Sequence, residues 1–515
     1  MRRPRSAQTR LMGMAAVAFA LTACGSTVSL GANSNTSSLN DSGLGAGSTG
    51  AQTSTTTATS TVATTDRLAS PAGAPSDGAV PAAGDNGSTS PDGTPAVSTV
   101  LKPVKIGYVV YDTAGFTAVT GNSDAGQNSS ANQAADHFEM ESLVKYANAT
   151  GGVNGRKIAP PIGYRLTTTD ALNAQTLAAV CAKATEDDKV EAFIDRSFMV
   201  SDDLLTCFAR HKVDLASFLV LSSDDILKRS APYVATTQPT IERSAKAFVE
   251  GVIGSGYLTK GAVVGVVADD SKAVDNALNA HILPALKAAG FPAKVIVRTS
   301  STDSSATTSQ GSAAVLKMRS AGVTHVVWFA NFLAQLAFAN GATSQNYYPR
   351  YAWSDYAGGV GDAGFYLSAE QNKNSIAVSV LPLYVVNPED SKRARTLTDP
   401  VDRNKAEPGV RRCLDAISKY GGRNYYAGNA GRSTDYAFLC DHFLLWLDAA
   451  RLAPKPFATS LFAGGVHALR ATHDSVLVHA TDFTTRLSGA SNYRVGLFSP
   501  SGCKCWSAIT PWRAF

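Results

Sequence analysis

Apolar runs of strand length alternate with segments of helical periodicity from about residue 101 to the end of the chain. The predicted strands are Val104–Val110, Gly163–Thr168, Val190–Ile194, Leu215–Leu221, Ala262–Ala268, Lys294–Arg298, Val323–Phe329 and Ile376–Leu381. The predicted helices between them include Ala171–Ala184, Thr240–Gly254, Lys272–Ala289, Ala313–Ala321 and Phe332–Ala342. Strands that alternate with helices favour parallel sheets with both faces covered. The pattern therefore predicts an α/β protein, and its length suits two lobes rather than one domain.

A turn is predicted at Gly151–Ile158, between the first long helical segment and the next strand. Gly151 and Gly152 can adopt the left-handed conformation that ends helices, and Asn154-Gly155 is a strong turn pair. In a crossover of this kind the turn lies at the end of the sheet opposite to a ligand cleft. We therefore expect it to position the first crossover without contacting a ligand.

The first residues are typical of a secretory signal. Four arginines precede an apolar run from Leu11 to Ala23 that is shorter than the ~20 residues of a membrane-spanning helix. Leu21-Thr22-Ala23-Cys24 resembles the lipobox of bacterial lipoproteins, which implies a signal peptide at 1–23 and a lipid anchor on Cys24. The alternative is an ordinary signal peptide, with no role for Cys24.

Residues 24–100 are predicted to form a disordered tether, because Ser, Thr, Ala, Gly and Pro dominate and no aromatic residue occurs. Such a chain extends roughly 50 Å on average. Four of the five formal positive charges belong to the arginines before Leu11, so the mature chain carries about one. This charge indicates no nucleic-acid partner.

The order of several motifs resembles the branched-chain amino-acid-binding protein family, the type I periplasmic solute-binding proteins of ABC importers. The motifs are Lys105-Ile106-Gly107, a glycine-bracketed loop from Gly115 to Gly121, the Gly151–Ile158 turn, Asp170, Ala262–Ala268, Ala321–Val327 and Ile376–Tyr384. The resemblance implies the two-lobed type I fold, with parallel sheets flanked by helices and three crossings between lobes. Residues 101–236 would form most of the first lobe and 237–372 most of the second, and 373–515 would complete both.

In this family the first lobe binds the carboxylate of an amino acid with hydroxyls and backbone N–H groups after its third and fourth strands. The corresponding positions here are Ser197 and Ser222-Ser223. Hydroxyls and helix N-terminal amides suit a carboxylate, because both favour negative charge. The alternative is that Ser222 or Ser223 only caps the helix that begins at Asp224.

In the second lobe the family places an aromatic residue and an acid near the amine of the ligand. The resemblance assigns these positions to Asn331, Asp355 and Tyr356. A carboxylate at Asp355 would form a charge-assisted hydrogen bond with an ammonium group. The alternative for Asp355 is a solvated loop aspartate. Arg196 departs from the small residues usual in the family, and an arginine in the cleft could favour a further carboxylate on the ligand.

Six cysteines remain after Cys24, and an even number outside the membrane favours disulfides. Cys181 with Cys207 and Cys413 with Cys440 fall on successive helical segments, so both pairings are plausible. Each would close a loop of about 26 residues, worth ~3 kcal/mol in the chain-entropy model. The alternatives for the remaining pair, Cys503 and Cys505, are a local bridge or two thiols facing other partners. The ligand spacing argues against a metal site, because only two sulfurs lie close together.

These observations predict an extracytoplasmic lipoprotein, held at the cell membrane by its N-terminal lipid only. It would capture a small polar solute, an amino acid or a related amide or acid, and deliver it to the permease of an ABC importer. We expect no enzyme activity and no metal, because no nucleophile–base constellation or metal-ligand cluster occurs. We also expect no cofactor, and a monomer. The alternatives are a ligand sensor of the same fold and an envelope hydrolase that uses one of the cleft serines.

Overall fold

The computed structural model describes residues 101–112, 129–167, 170, 173–196, 202–217, 222–301, 303–356, 367–381, 385–386, 401–427, 436–499 and 505–515. The predicted signal peptide, the lipid anchor at Cys24, the tether, Ser197 and Cys503 lie outside these residues. Within them, no helix combines the length and the apolar character that crossing a membrane requires.

The first lobe is built on a parallel sheet of five strands in the order β2-β1-β3-β4-β5. These strands are β1 Ile106–Asp112, β2 Ile162–Thr167, β3 Ala192–Asp195, β4 Asp214–Ser217 and β5 Val234–Ala235. Its helices are α1 Ser129–Ala149, α2 Ala174–Ala182 with a π-helical turn Lys183–Asp187, α3 Asp202–Arg210, α4 Asp224–Ser230, α11 Pro408–Gly421, α12 Tyr436–Leu452 and α13 Phe462–Leu469. A short 3₁₀ turn, Thr459–Leu461, precedes α13.

The second lobe is built on a mixed sheet in the order β11-β13-β12-β10-β9-β8-β6-β7, with β14 paired to β12. The strands are β6 Val264–Asp269, β7 Val295–Thr299, β8 His325–Phe329, β9 Arg350–Ser354, β10 Ile376–Ser379, β11 Val385–Val386, β12 Asn492–Ser499, β13 Cys505–Ala508 and β14 Arg513–Ala514. The helices are α5 Ile241–Gly254, α6 Lys272–Ala277, a π-helical turn Leu278–Ile282, α7 Leu283–Ala288, α8 Ser304–Ser320, α9 Phe332–Ser344 and α10 Ala369–Asn372.

The chain passes between the lobes three times. It leaves the first sheet at β5 and enters the second lobe with α5, it returns between β11 and α11, and it crosses again between α13 and β12. The first and third crossings lie side by side, because the N–H of Thr236 donates to Leu487 and the N–H of Gly489 donates back to Thr236. This is the two-lobed type I periplasmic binding fold that the sequence predicts.

Several elements differ from the sequence predictions. The helix predicted at Ala313–Ala321 begins at Ser304, because the side chain of Asp303 accepts hydrogen bonds from two N–H groups of the first turn. The predicted strand Leu215–Leu221 is described only as far as Ser217. The strand β9 and the antiparallel strands β12, β13 and β14 were not predicted.

The turn at Gly151–Ile158 is confirmed. Helix α1 ends at Ala149, and Gly152 and Asn154 have φ values of 65° and 50°, in the left-handed region. The guanidinium of Arg451 donates to the carbonyl of Gly152 at 2.9 Å, and the amide of Asn154 donates to Ala450 at 3.0 Å. The turn therefore rests on the C-terminal end of α12.

Two disulfides join helices of the first lobe. Cys181 bonds Cys207 and Cys413 bonds Cys440, with sulfur–sulfur distances of 2.05 and 1.98 Å. Both bridges are those that the cysteine spacing predicts. Cys505 opens the strand β13.

Candidate functional site

The carboxyl ends of the parallel strands form the edge of each sheet at which α/β proteins bind ligands. In the first lobe this edge includes the residues that follow β3, β4 and β5, and in the second lobe those that follow β6, β8, β9 and β10. Burial raises the pKa of Tyr356, which follows β9, and the negative charge of Asp202, at the start of α3 in the other lobe, adds a smaller contribution. The strand ends of the two lobes therefore lie within electrostatic reach of each other.

Arg196, directly after β3, forms a buried ion pair within the first lobe. Its guanidinium donates to the carboxylate of Asp136 on α1, and the two side chains are 1% and 0% exposed. Beside it, the hydroxyl of Ser217 donates to Asp195 at 2.7 Å. The charge of Arg196 is thus neutralised inside the lobe, which argues against a role in recognising a second carboxylate on the ligand.

Ser222 and Ser223 have different environments although they are adjacent. The hydroxyl of Ser223 accepts a hydrogen bond from the N–H of Ile226 at 3.3 Å and caps α4. The hydroxyl of Ser222 is buried and has no hydrogen-bond partner within the described part of the chain. Leaving a buried polar group unpaired costs ~1–3 kcal/mol, so Ser222 is the better candidate for a ligand contact.

Gln238 is a candidate that the sequence analysis missed. It lies three residues after β5, in the first crossing between the lobes, and it is completely buried. Neither its amide nitrogen nor its amide oxygen is hydrogen-bonded to any residue that the structure describes. A side chain with one donor group and one acceptor, both unpaired, suits a polar ligand. A single glutamine after an apolar strand matches no motif, and only the fold reveals it.

Asn331 makes structural hydrogen bonds with each polar atom of its side chain. Its oxygen accepts the N–H of Ala334 at 3.1 Å and caps α9, and its nitrogen donates to Asp269 at 3.0 Å and to the carbonyl of Ser300 at 3.1 Å. The strand ends of β6, β7 and β8 are thereby tied together. Contact between Asn331 and a ligand stays a prediction.

Asp355 is buried at the end of β9, rather than solvated in a loop. Oδ2 accepts the N–H of Val380 at 2.5 Å, whereas Oδ1 has no hydrogen-bond partner among the residues that the structure describes. Burial raises the pKa of Asp355 from 3.8 to about 7, although hydrogen bonds from Val380 and Ser379 lower it. An ammonium group beside Oδ1 would favour the charged carboxylate and make a charge-assisted hydrogen bond.

Tyr356 packs within the second lobe. Its ring stacks on Phe329, with the ring centroids 4.7 Å apart and the planes at 21°. Burial raises the pKa of Tyr356 well above its ordinary value, and the charge of nearby Asp269 adds to this effect. The phenol is therefore neutral at physiological pH, and its hydrogen bond with Asp269 contributes to the raised pKa.

The hydrolase alternative needs a histidine within hydrogen-bond reach of a cleft serine. The hydroxyl of Ser222 has no hydrogen-bond partner in the described ranges, and the hydroxyl of Ser223 accepts a hydrogen bond from a backbone N–H. Among the residues that the structure describes, neither serine is therefore hydrogen-bonded to a histidine.

Comparison with known structures finds the same fold in substrate-binding proteins of ABC transporters. A branched-chain amino acid transporter protein from Streptococcus pneumoniae in complex with isoleucine is 14% identical, with a TM-score of 0.52 over 80% of this chain and 100% of that one. A fatty acid ABC transporter protein from Thermomonospora curvata is 13% identical, with a TM-score of 0.53 over 83% and 97%. A Thermus thermophilus protein with bound valine is 13% identical, with a TM-score of 0.51 over 81% and 98%.

No family model and no curated protein matches the sequence. The structural likenesses therefore establish the class of fold: the chain has the type I periplasmic binding fold, as the motif order predicts.

Proposed function

We propose that this protein captures a small polar solute between its two lobes. The observation that carries the proposal is a set of buried polar groups at the strand ends of both lobes that have no hydrogen-bond partner among the residues that the structure describes. These are the hydroxyl of Ser222, both amide atoms of Gln238 and Oδ1 of Asp355. A solute that hydrogen-bonds them would remove their desolvation cost, which is ~1–3 kcal/mol for each group.

Contacts from both lobes would couple binding to closure. Ser222 belongs to the first lobe, Gln238 to the first crossing and Asp355 to the second lobe. A solute that touches both lobes stabilises the closed arrangement by the contacts that an open arrangement cannot make. Ser197, Ser223, Asn331 and Tyr356 would complete the walls of this site.

The solute class follows from the chemistry of these groups. Gln238 offers a donor and an acceptor, Ser222 offers a hydroxyl, and Asp355 offers a carboxyl oxygen that suits an ammonium or an amide N–H. Arg196 is occupied by Asp136, so a second carboxylate on the solute has no support from this cation. We therefore propose an amino acid or a related amide.

Delivery to the permease of an ABC importer is the role that we propose for the captured solute. It is supported by the fold, which the substrate-binding proteins of ABC transporters share. Lipidation of Cys24, with residues 24–100 as a tether, would hold the protein on the outer face of the cell membrane. Replacing Cys24 with Ser should then release the protein from membranes, and continued membrane association would refute the anchor.

A thermal-shift screen tests solute capture. The full chain is heated with single amino acids, amides and small carboxylic acids, and a solute at about 100 times its dissociation constant should add ~2.7 kcal/mol to the free energy of unfolding. At least one amino acid or amide should raise the melting temperature. A screen in which none does so contradicts the proposal.

A further inference from the structure

Apart from the proposed solute site, a pocket lies on the outer helical layer of the first lobe. Its volume is about 560 Å³, and it is formed mainly by α11 together with the C-terminal part of α1. Helix α1 follows β1, so its C-terminal end, at Tyr146, lies toward the amino ends of the parallel strands. The pocket is therefore distant from the strand ends at which the solute site is proposed.

Two of the four cations that line this pocket are neutralised by acids. Arg403 donates to both carboxyl oxygens of Asp415, at 2.9 and 2.8 Å. Arg412 donates to both carboxyl oxygens of Asp448, each at 2.6 Å. Bidentate pairs of this kind hold both arginines in fixed positions.

The other two cations, Arg411 and Lys419, form no ion pair with any acid in the part of the chain that the structure describes. Arg411 is half-buried and Lys419 is exposed. Four cations thus meet two carboxylates, and two positive charges remain on the pocket. Unbalanced charge at a concave surface attracts anions.

The two unpaired cations are separated along one helix. Arg411 and Lys419 are eight residues apart on α11, so their Cα atoms are separated by roughly 12 Å along the helix axis, and both residues line the pocket. A ligand with several anionic groups along its length can contact both cations.

Two tyrosines form an aromatic wall of the pocket. The rings of Tyr146 and Tyr420 lie 5.8 Å apart, and both line the pocket. Both side chains are half-buried, and each ring has a cation over it: Lys419 lies 5.2 Å from the Tyr420 ring centroid and Arg412 lies 5.9 Å from that of Tyr146. Aromatic faces next to cations suit a ligand that has rings with an apolar face as well as anionic groups.

We propose that this pocket binds an anionic carbohydrate, a chain of sugar rings that carries carboxylate, sulfate or phosphate groups. The sugar faces pack on Tyr146 and Tyr420, and successive anionic groups contact Arg411 and Lys419. This site is independent of the solute site between the lobes. The protein would then bind acidic polymers, although the net charge of the mature chain is close to zero and does not predict such binding.

Binding of a labelled oligogalacturonate to the full chain at low salt tests the proposal. The double substitution Arg411→Ala with Lys419→Ala should weaken binding about tenfold or more, because two charge contacts are lost. The matched control, Lys317→Ala with Arg319→Ala, removes the same charge from exposed positions on α8 of the second lobe and should keep wild-type affinity. Equal weakening in both variants, or no binding by the wild type, overturns the proposal.

Two further arms define the ligand chemistry. Neutral dextran should not bind, whereas a sulfated oligosaccharide should compete with oligogalacturonate. Tyr420→Leu should weaken oligogalacturonate more than linear polyphosphate, which has no rings. Equal weakening of both ligands overturns the role of the aromatic wall. The single variant Lys419→Gln, at an exposed position, should weaken binding about threefold. It tests the same charge contact if the double variant does not fold.

Discussion

The carboxylate of Asp441, in the middle of α12, accepts a hydrogen bond from the hydroxyl of Thr237 in the first crossing between the lobes. Its other oxygen accepts from the hydroxyl of Ser475 and the N–H of Val476, both at 2.6 Å, in the segment that leads to the third crossing. Asp441 is completely buried. One side chain of the first lobe thus fixes the start of two crossings, about which the lobes would move.

Replacing Asp441 with Asn should destabilise the protein by about 3 kcal/mol. The amide keeps the size of the carboxylate, but its NH₂ group would face donors that need an acceptor, and the charge that strengthens these bonds is lost. Urea unfolding measures the change. The control is Asp225→Asn, which breaks only an exposed pair with Arg229 and should cost less than about 0.5 kcal/mol. Similar costs for both variants would show that Asp441 does not fix the crossings.

Replacing Arg196 with Met should destabilise the fold by about 3–5 kcal/mol, because the carboxylate of Asp136 would remain buried without its cation. The same urea titration measures this loss. Adding Asp136→Leu to the variant should recover part of the stability, since the buried charge is then gone. If Arg196→Met instead leaves stability unchanged and weakens only acidic solutes, Arg196 is a ligand contact after all.

The buried carboxyl of Asp355 makes stability depend on pH. Its pKa is about 7 in the folded protein and 3.8 in the reference state, so the folded protein holds the proton more tightly. The contribution of Asp355 is therefore most favourable below pH 4 and is lost as the pH rises from about 4 to about 7. Each unit of pKa shift corresponds to ~1.4 kcal/mol.

Urea unfolding of the wild type and of Asp355→Asn at about pH 5 and pH 8 isolates this contribution. Asp269 behaves as Asp355 does, with a pKa raised by burial to about 7, whereas burial lowers the pKa of His325 and of His442 to about 4, which has the opposite effect on the pH trend. These groups remain in both proteins. The variant should therefore lose less stability than the wild type between the two pH values, and equal losses would contradict a proton on Asp355.

Removing either disulfide should cost about 3 kcal/mol, because the loops that Cys181–Cys207 and Cys413–Cys440 close span 26 and 27 residues. Both cysteines of a pair are replaced by Ser together, so that no free thiol remains from that pair. Thermal unfolding of each double variant should show a lower melting temperature than the wild type. Alkylation of these four cysteines in the wild type without reductant would contradict both bridges.

The order of strands and helices was predictable because apolar runs such as Val264–Asp269 are buried on both faces of a sheet. The strand β9 was not predicted, because the polar residues Arg350 and Ser354 at its ends interrupt the apolar pattern. Its buried residues include Tyr351 and Trp353, whose stacked rings have centroids 4.4 Å apart. The antiparallel strands at the C-terminus lack intervening helices, so the alternation that revealed the other strands does not extend to them.

The candidate site was less predictable, because its chemistry depends on contacts between distant residues. The pairing of Arg196 with Asp136, sixty positions earlier, is set by the fold and has no local signature. Asp355 lies where the family resemblance assigns an acid, but its burial and its hydrogen bond from the N–H of Val380, which follows β10, depend on the tertiary fold. Gln238 belongs to no sequence motif.

Calorimetric titration of the solute found by thermal shift tests the central proposal most directly. It compares the wild type with Gln238→Met and with the double variant Arg411→Ala and Lys419→Ala. Gln238→Met keeps the side-chain length but removes both amide groups, so it should weaken the solute by at least about tenfold. The double variant, in the pocket on α11, should bind the solute as the wild type does. Wild-type affinity in Gln238→Met would contradict capture of the solute at the strand ends between the lobes.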